Sequence, residues 1–307
     1  MADIQPANTE ETSGQLLIET DWSEEWKRVQ RSRKHVDCPE RWNKRAPSFG
    51  GALFTSPYAD QFIELLDLKP GDTVFDMGCG NGAIAIPLAK AGYHVVARDF
   101  SEGMLAGLAE AAAASGEEVA ARIDAARMAW EDDWEAAGLT PGFADVAFAS
   151  RSMITSDLGA AIAKLSWAAK RFACATISTG YTPMMSPTML RDLGISRVPA
   201  YDFAYTFNIL MQLGYSPEVR YIVHDRFISF DSLDEGEEQL LAQLEHAQTY
   251  CDAGELERAA TRLRAWMEER VEPNEFGGMM NRHGKPEGRL KIQMHDDIRW
   301  AFLKWEV

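Results

Sequence analysis

One stretch, Gly71–Leu105 (GDTVFDMGCGNGAIAIPLAKAGYHVVARDFSEGML), limits what this chain can fold into more than any other. Val74–Asp76 ends a short apolar strand. Gly78-x-Gly80-x-Gly82 then turns the chain with no Cβ atoms in the way. Ala83–Ala91 is apolar enough for a helix lying on a sheet, and Gly92 is a natural stop. His94–Ala97 resumes an extended pattern, and Asp99 stands where that strand ends. A unit of this kind belongs to a parallel sheet, with the glycine turn and Asp99 together at its carboxyl edge.

Glycines at that edge let backbone approach a ligand closely, and a carboxylate after the second strand can take both hydroxyls of a ribose. Two ligand classes compete for the unit. Dinucleotides prefer G-x-G-x-x-G, which aims a helix N-terminus at a pyrophosphate. Here the third glycine comes one residue early and Asp76 precedes the run. A carboxylate beside the turn repels a pyrophosphate and suits a ligand bearing a cation. Asp76-x-Gly78-x-Gly80-x-Gly82, with Asp99-Phe100-Ser101 after the next strand, resembles the first two motifs of class I S-adenosylmethionine-dependent methyltransferases. The resemblance implies S-adenosyl-L-methionine as cofactor and S-adenosyl-L-homocysteine as product. It implies cofactor contacts from Asp76, Gly78, Cys79, Gly80, Asn81, Gly82, Asp99, Phe100 and Met104. A nicotinamide cofactor is the competing reading.

The remaining pattern extends the resemblance. Residues 58–307 fit an α/β, Rossmann-like sheet of seven strands flanked by helices, five parallel and the last two an antiparallel terminal hairpin. Phe143–Phe148 reads as the fourth strand, Phe172–Ser178 as the fifth, Val219–Phe230 as the sixth and Ile298–Trp305 as the last. Ala121–Met128 is expected as the third, although its alanines and charges are poor strand formers. Tyr58–Leu68, Ser101–Gly116 with Ser101 as N-cap, the segment capped by Asp157, and Tyr201–Leu213 read as helices. Gly180–Ala200 shows no periodicity. Leu233–Leu244 and Leu256–Met267 give two helical patterns between the last strands, so insertions are expected at 180–214 and 231–287. The whole pattern resembles the ubiquinone/menaquinone-type small-molecule group, and Asp99-Phe100-Ser101-x-Gly103-Met104-Leu105, Ala149-Ser150-Arg151-Ser152 and Asn208-Ile209-Leu210-x-x-Leu213-Gly214 also resemble an uncharacterised set from anaerobic microbes. Arg98 departs from the pattern, because an apolar residue normally precedes the acidic one.

Residues 1–57 divide into an acidic tail, expected to be disordered, and Thr20–Val36 with Trp22, Trp26 and Val29 at helical spacing. Trp42-x-x-Arg45-Ala46 resembles the start of a lid that folds over the cofactor; a surface helix docked by its tryptophan is the plainer reading.

In the family the loop after the third strand contacts adenine, which implies Trp130 and Glu131, with Trp134 as the alternative ring. Ser150 and Arg151, at the end of the central fourth strand, are candidates for the cofactor's carboxylate or for substrate. No Asn-Pro-Pro-Tyr sequence stands there, which argues against nucleobase or glutamine amide methylation. Trp42, Arg45, Tyr181, Tyr201 and Tyr205 are candidate acceptor contacts, with helix packing as the plainer role for the tyrosines. His224 is better read as structural than as a base. The histidines and the four cysteines have no metal-ligand spacing, so no metal is expected.

A net charge of −16 repels a phosphate backbone, so nucleic acid is an unexpected partner. No apolar run approaches the roughly 20 residues of a membrane span, and the first residues lack the features of a signal peptide. A cytoplasmic enzyme acting on a small-molecule acceptor is expected, with a homodimer left open. Two other readings stand beside it: a catalytically inactive S-adenosylmethionine-binding sensor or partner subunit, and an NAD-dependent oxidoreductase.

Overall fold

The computed structural model describes residues 19–32, 38–48, 57–153, 155–179, 186–195, 202–246, 252–280 and 286–307. Five parallel strands form the left half of the sheet in the order β3-β2-β1-β4-β5. They are β1 (Thr73–Met77), β2 (His94–Asp99), β3 (Ile123–Arg127), β4 (Ala144–Ser150) and β5 (Ala169–Ser178). β6 (Glu218–Phe230) and β8 (Leu290–Glu306) complete it antiparallel, with β8 between β5 and β6. The expected mixed seven-stranded sheet is therefore present. A two-residue strand, β7 (Glu272–Pro273), additionally pairs with β8.

Each face of the sheet has its own core, because alternate side chains of a strand point to opposite sides. On one face Phe75, Met77, Ala147 and Ala173 meet α7 (Leu158–Ala168), α9 (Asp202–Gln212) and α1 (Trp22–Ser32). On the other, Val74, Val146, Phe148 and Phe302 meet α3 (Pro57–Leu65), α4 (Ala85–Lys90) and α5 (Glu102–Ala114). Phe62, Phe148 and Phe302 form an edge-to-face triple there. The expected caps are in place: Ser101 Oγ accepts from Met104 N, and Asp157 accepts from Ala160 N. β3 is weak in its own residues but pairs over its whole length with β2.

The last strand differs most from the sequence reading. Only Ile298–Trp305 was expected, yet β8 begins at Leu290. Opposite β5 it ends at the Ser178–Trp300 pair, so Leu290–Arg299 run on past the carboxyl edge of the parallel strands, paired with the second half of β6. A register shift after His224 lets this long hairpin arm bend. Against the arm pack α10 (Leu233–His246), α11 (Ala253–Glu268) and α8 (Pro187–Asp192), building a third core from Leu190, Phe230, Leu240, Leu263, Met267 and Ile292. α8 lies inside the segment expected to be aperiodic. Its six residues are too few to show a helical period, and Ser186 caps it by accepting from Met189 N.

The N-terminal segment is held by two short helices. Trp26 is buried and donates its indole N–H to Thr155 O, while Lys27 pairs with Asp157 at the start of α7. Farther along, α2 (Pro39–Arg45) and a 3-10 turn at Ala46–Ser48 lie against α5. Among the described residues no helix is long and apolar enough to cross a membrane.

Candidate functional site

The carboxyl edge of β1 and β2 gathers most of the residues singled out above. Gly78 has φ +79 and Gly82 has φ +88, values costly for any side chain. A Cβ on Gly78 would collide with Ser152, and one on Gly82 with Leu108 of α5. These two glycines serve close packing. Gly80 (φ +54) differs, because a Cβ there would enter open space. The middle of the turn is therefore a cradle that no atom of the described residues fills within 4 Å of that Cβ.

Asp99 anchors the cradle. One carboxylate oxygen accepts from Gly80 N (2.9 Å) and the other from Ser101 N (2.8 Å). Asp76 is its opposite. It is 1% exposed, and among the described residues neither carboxylate oxygen has a hydrogen-bond partner. Burial raises its pKa well above the ordinary carboxylate range, and the nearby charge of Asp99 raises it further. The pair can hold a ligand with a positive centre near Asp76 and a pair of hydroxyls near Asp99. Cys79 is buried, donates weakly to Gly80 O, and has its thiol pKa pushed up by burial and the two carboxylates, so it is no nucleophile.

Phe100 is half-buried beside this site, and Met104 is buried under the first turn of α5. Arg98 is buried too, but its guanidinium reaches away along β3, donating to Asp124 O and pairing with the Asp124 carboxylate at 3.0 Å. The departure from the family pattern therefore leaves the cradle untouched.

The loop after β3 is organised by Trp130, whose indole N–H donates to Ser152 O (3.0 Å). Lys164 donates to the carbonyls of Trp130 and Asp132 from below. Glu131 is exposed and accepts from Thr155 Oγ1. Trp134, the alternative ring contact, is 3% exposed and packs edge-on against Phe75 inside the core, so it cannot cover a ligand.

At the end of β4, Ser152 Oγ donates to Met77 O, tying this loop to the end of β1. Ser150 Oγ, Tyr58 Oη and Thr176 Oγ1 form a chain of hydroxyls (2.8 and 2.6 Å), and Arg151 N donates to Thr176 Oγ1. Arg151 itself sits at φ +58, a left-handed backbone that few non-glycine residues adopt. Its guanidinium lies 4.0 Å from the Tyr58 ring centroid and 5.7 Å from that of Trp300. Tyr58 is buried, which pushes its phenol pKa up against the opposing pull of Arg151.

Of the candidate acceptor contacts, Tyr205 is wedged edge-on between Trp22 and Trp26 at 5.8 and 5.7 Å. Arg45 stacks on Trp42 within α2 (5.0 Å). Tyr181 and Tyr201 lie outside the described residues, and the side chain of His224 does too. Sequence reasoning passed over Asn43, between Trp42 and Arg45. Its Oδ1 accepts from Ser101 Oγ (2.7 Å) and Gly103 N (2.9 Å), joining α2 to the loop that holds Asp99. It also passed over Tyr58, Thr176 and Trp300. Each lies far along the chain from Ser150 and Arg151, so no local pattern marks them. Among the described residues no cluster of metal-ligating side chains occurs.

Residues 74–173 match the family described as methyltransferase domain. An uncharacterized protein of Haemophilus influenzae is 28% identical over 272 residues, 88% of this chain and 90% of its own. The demethylmenaquinone methyltransferase of Corynebacterium efficiens is 54% identical over 43 residues, 14% of this chain and 19% of its own. The solved YcgJ protein of Bacillus subtilis is similar over 81% of this chain and 97% of its own, at 13% identity and a TM-score of 0.48.

Proposed function

We infer that this chain, whose residues 74–173 match a methyltransferase domain, is a class I S-adenosylmethionine-dependent methyltransferase that transfers the methyl group in line to a small-molecule acceptor. The observation that carries the reading is Asp76, a buried carboxylate with no partner among the described residues, close to the Asp99 that holds the turn open at Gly80. An uncompensated buried carboxylate is costly to keep, and a cationic ligand beside it removes the cost. The methionine end of the cofactor bears an ammonium and a sulfonium. Its ribose offers the two hydroxyls that suit Asp99. A dinucleotide pyrophosphate would instead bring negative charge toward Asp76, which disfavours the oxidoreductase reading.

The bound cofactor supplies an already activated methyl group, so the protein's part is orientation and exclusion of water. Asp76 and Asp99 fix the two ends of the donor. Trp130, held by Ser152 and Lys164, flanks the position expected for adenine. Asn43 brings α2 over the first turn of α5, which suits a cover on the donor's ribose side. Residues 58–307 are the transferase unit in this reading, with the N-terminal segment as its cover.

The test is calorimetric titration with S-adenosyl-L-homocysteine, followed by turnover of S-adenosyl-L-methionine over a panel of small acceptors. Saturable binding with product release supports the reading. Binding without release under any acceptor favours the sensor reading. No binding, with saturable uptake of NAD, would overturn both.

A further inference from the structure

The methyl-transfer reading leaves the acceptor unnamed, and α1 carries a group that bears on its chemistry. Among the described residues four buried side-chain polar atoms have no hydrogen-bond partner: both carboxylate oxygens of Asp76, Arg171 Nε and Gln30 Nε2. Native folds keep few such groups, and each calls for a cause. In the reading above the donor's cation answers Asp76. Arg171 stands near the start of β5, at the opposite edge of the sheet, where its guanidinium already pairs with Asp72. That leaves Gln30, half-buried, with its amide nitrogen turned inside.

The place of Gln30 follows from how α1 is docked. Ser23 closes on α7 at Gly159, where a Cβ would collide with the Ser23 hydroxyl. Lys27 pairs with Asp157 at the start of α7, and Trp26 donates to Thr155 O, two residues before it. The contacts step backward along α7 as α1 advances, so the two helices are antiparallel. Since α7 leads away from the carboxyl edge, α1 leads toward it. α9 gives the same sense: Gln212 at its end bonds Thr20 and Trp22 at the start of α1, and Tyr205, farther back along α9, reaches Trp26. Gln30 follows Trp26 by four residues, on the same stripe of α1 and about 6 Å farther on. It therefore comes to the level of the loop that ends β4. The helices under it, α7 and α9, lie over β4 and β5, whereas the donor's cradle stands at the ends of β1 and β2 with α2 against it. The buried amide thus reaches the carboxyl edge beside the donor's position.

We propose that Gln30 is a binding residue for the methyl acceptor, its amide N–H donating to an uncharged oxygen of that molecule, a carbonyl or a hydroxyl. This rests on the methyl-transfer reading above. The amide nitrogen is a neutral donor with no accepting capacity, so it selects a lone pair without demanding a charge. Left unbonded, it destabilises the free protein, and a ligand oxygen recovers that loss.

The test uses the full chain saturated with S-adenosyl-L-homocysteine, titrated with acetophenone as the oxygen-bearing probe and ethylbenzene as its apolar match. Acetophenone should bind about three- to tenfold more tightly. The side-chain amide signals of Gln30 in the nitrogen–proton spectrum, assigned by their loss in Gln30→Met, should move with acetophenone and stay with ethylbenzene. Gln30→Met keeps the length of the side chain and removes the unpaired donor. It should bind both probes alike, melt roughly 2–6 °C above wild type, and hold S-adenosyl-L-homocysteine within about twofold of wild type. A variant that melts below wild type would mean that water already answers the amide, and would overturn the proposal. So would equal binding of the two probes by wild type, or an unchanged preference in the variant. Weaker S-adenosyl-L-homocysteine binding in the variant would overturn it too, since Gln30 would then belong to the donor. Failure of the wild type to bind S-adenosyl-L-homocysteine would sink the methyl-transfer reading instead, and is seen before any probe is added.

Discussion

Replacing Asp76 with Asn separates a residue kept for ligand from one kept for fold. In the unliganded protein the Asp76 carboxylate is buried, unpartnered and close to Asp99, so its pKa lies well above 3.8. In the unfolded chain it returns to about 3.9. Between those values the folded protein holds a proton that the unfolded chain has released. Stability contributed by this group is complete below the unfolded value and is lost as pH rises through the folded one. Within that window the loss is about 1.4 kcal/mol for each pH unit. For a chain of this size 1 kcal/mol corresponds to roughly 2 °C in Tm. Asparagine has nearly the same shape and does not titrate. The difference in Tm between Asp76→Asn and wild type should therefore grow with pH, in the variant's favour, from about pH 5 until Asp76 is fully ionised. Histidines and the titrating groups remote from Asp76 are common to both proteins and cancel in the difference.

Ligand binding should run the other way. A cationic ligand group favours the ionised carboxylate, so S-adenosyl-L-homocysteine should release a proton on binding to wild type and none on binding to the variant. A charge-assisted hydrogen bond contributes about 1.5–3 kcal/mol, so the variant should bind about 10–100-fold more weakly. Differential scanning fluorimetry across pH gives the first quantity. Calorimetry in buffers of different ionisation enthalpy gives the other two. A variant less stable than wild type at every pH, with undiminished affinity, would mean that Asp76 is a structural residue and would refute the reasoning.

The glycines of the turn should split by role: Gly80→Ala should cost about 1–2 kcal/mol of stability but remove S-adenosyl-L-homocysteine binding, whereas Gly82→Ala should unfold or strongly destabilise the protein through Leu108, as thermal melts and titration would distinguish. Asn43→Ala removes two hydrogen bonds between α2 and α5; hydrogen exchange should quicken over residues 38–48 with little change in global Tm. Arg98→Leu should cost about 1–2 kcal/mol through the freed Asp124 carbonyl and leave S-adenosyl-L-homocysteine affinity unchanged, because that guanidinium points along β3. Leu263→Ala, in the third core, should cost about 2–5 kcal/mol in chemical denaturation and again spare the titration.

How much of this was legible in the sequence depends on how local each signal is. The turn at Gly78–Gly82, the Ser101 cap and the two carboxylates are short-range features, and each stands where the chain order put it. β3 was a weak expectation because Ile123-Asp124-Ala125-Ala126-Arg127 holds one β-branched residue; pairing with β2 makes it a strand. The first half of β8 did carry a signal, since Leu290, Ile292 and Met294 alternate with polar residues. His295-Asp296-Asp297 interrupts that alternation, and a bulge absorbs the interruption in the fold. What no window could reveal is the pairing of Tyr58 with Ser150, 92 residues away, or of Asn43 with Ser101, 58 residues away. Those pairings share one cause. The parallel sheet brings the ends of β1, β2, β4 and β5 to a single edge, and side chains from α2 and α3 then reach it from outside. The candidate donor site was readable because one contiguous unit builds it. The cluster of Tyr58, Ser150, Arg151, Thr176 and Trp300 was not, because it is assembled from α3, β4, β5 and β8, and only the sheet order sets those four side by side.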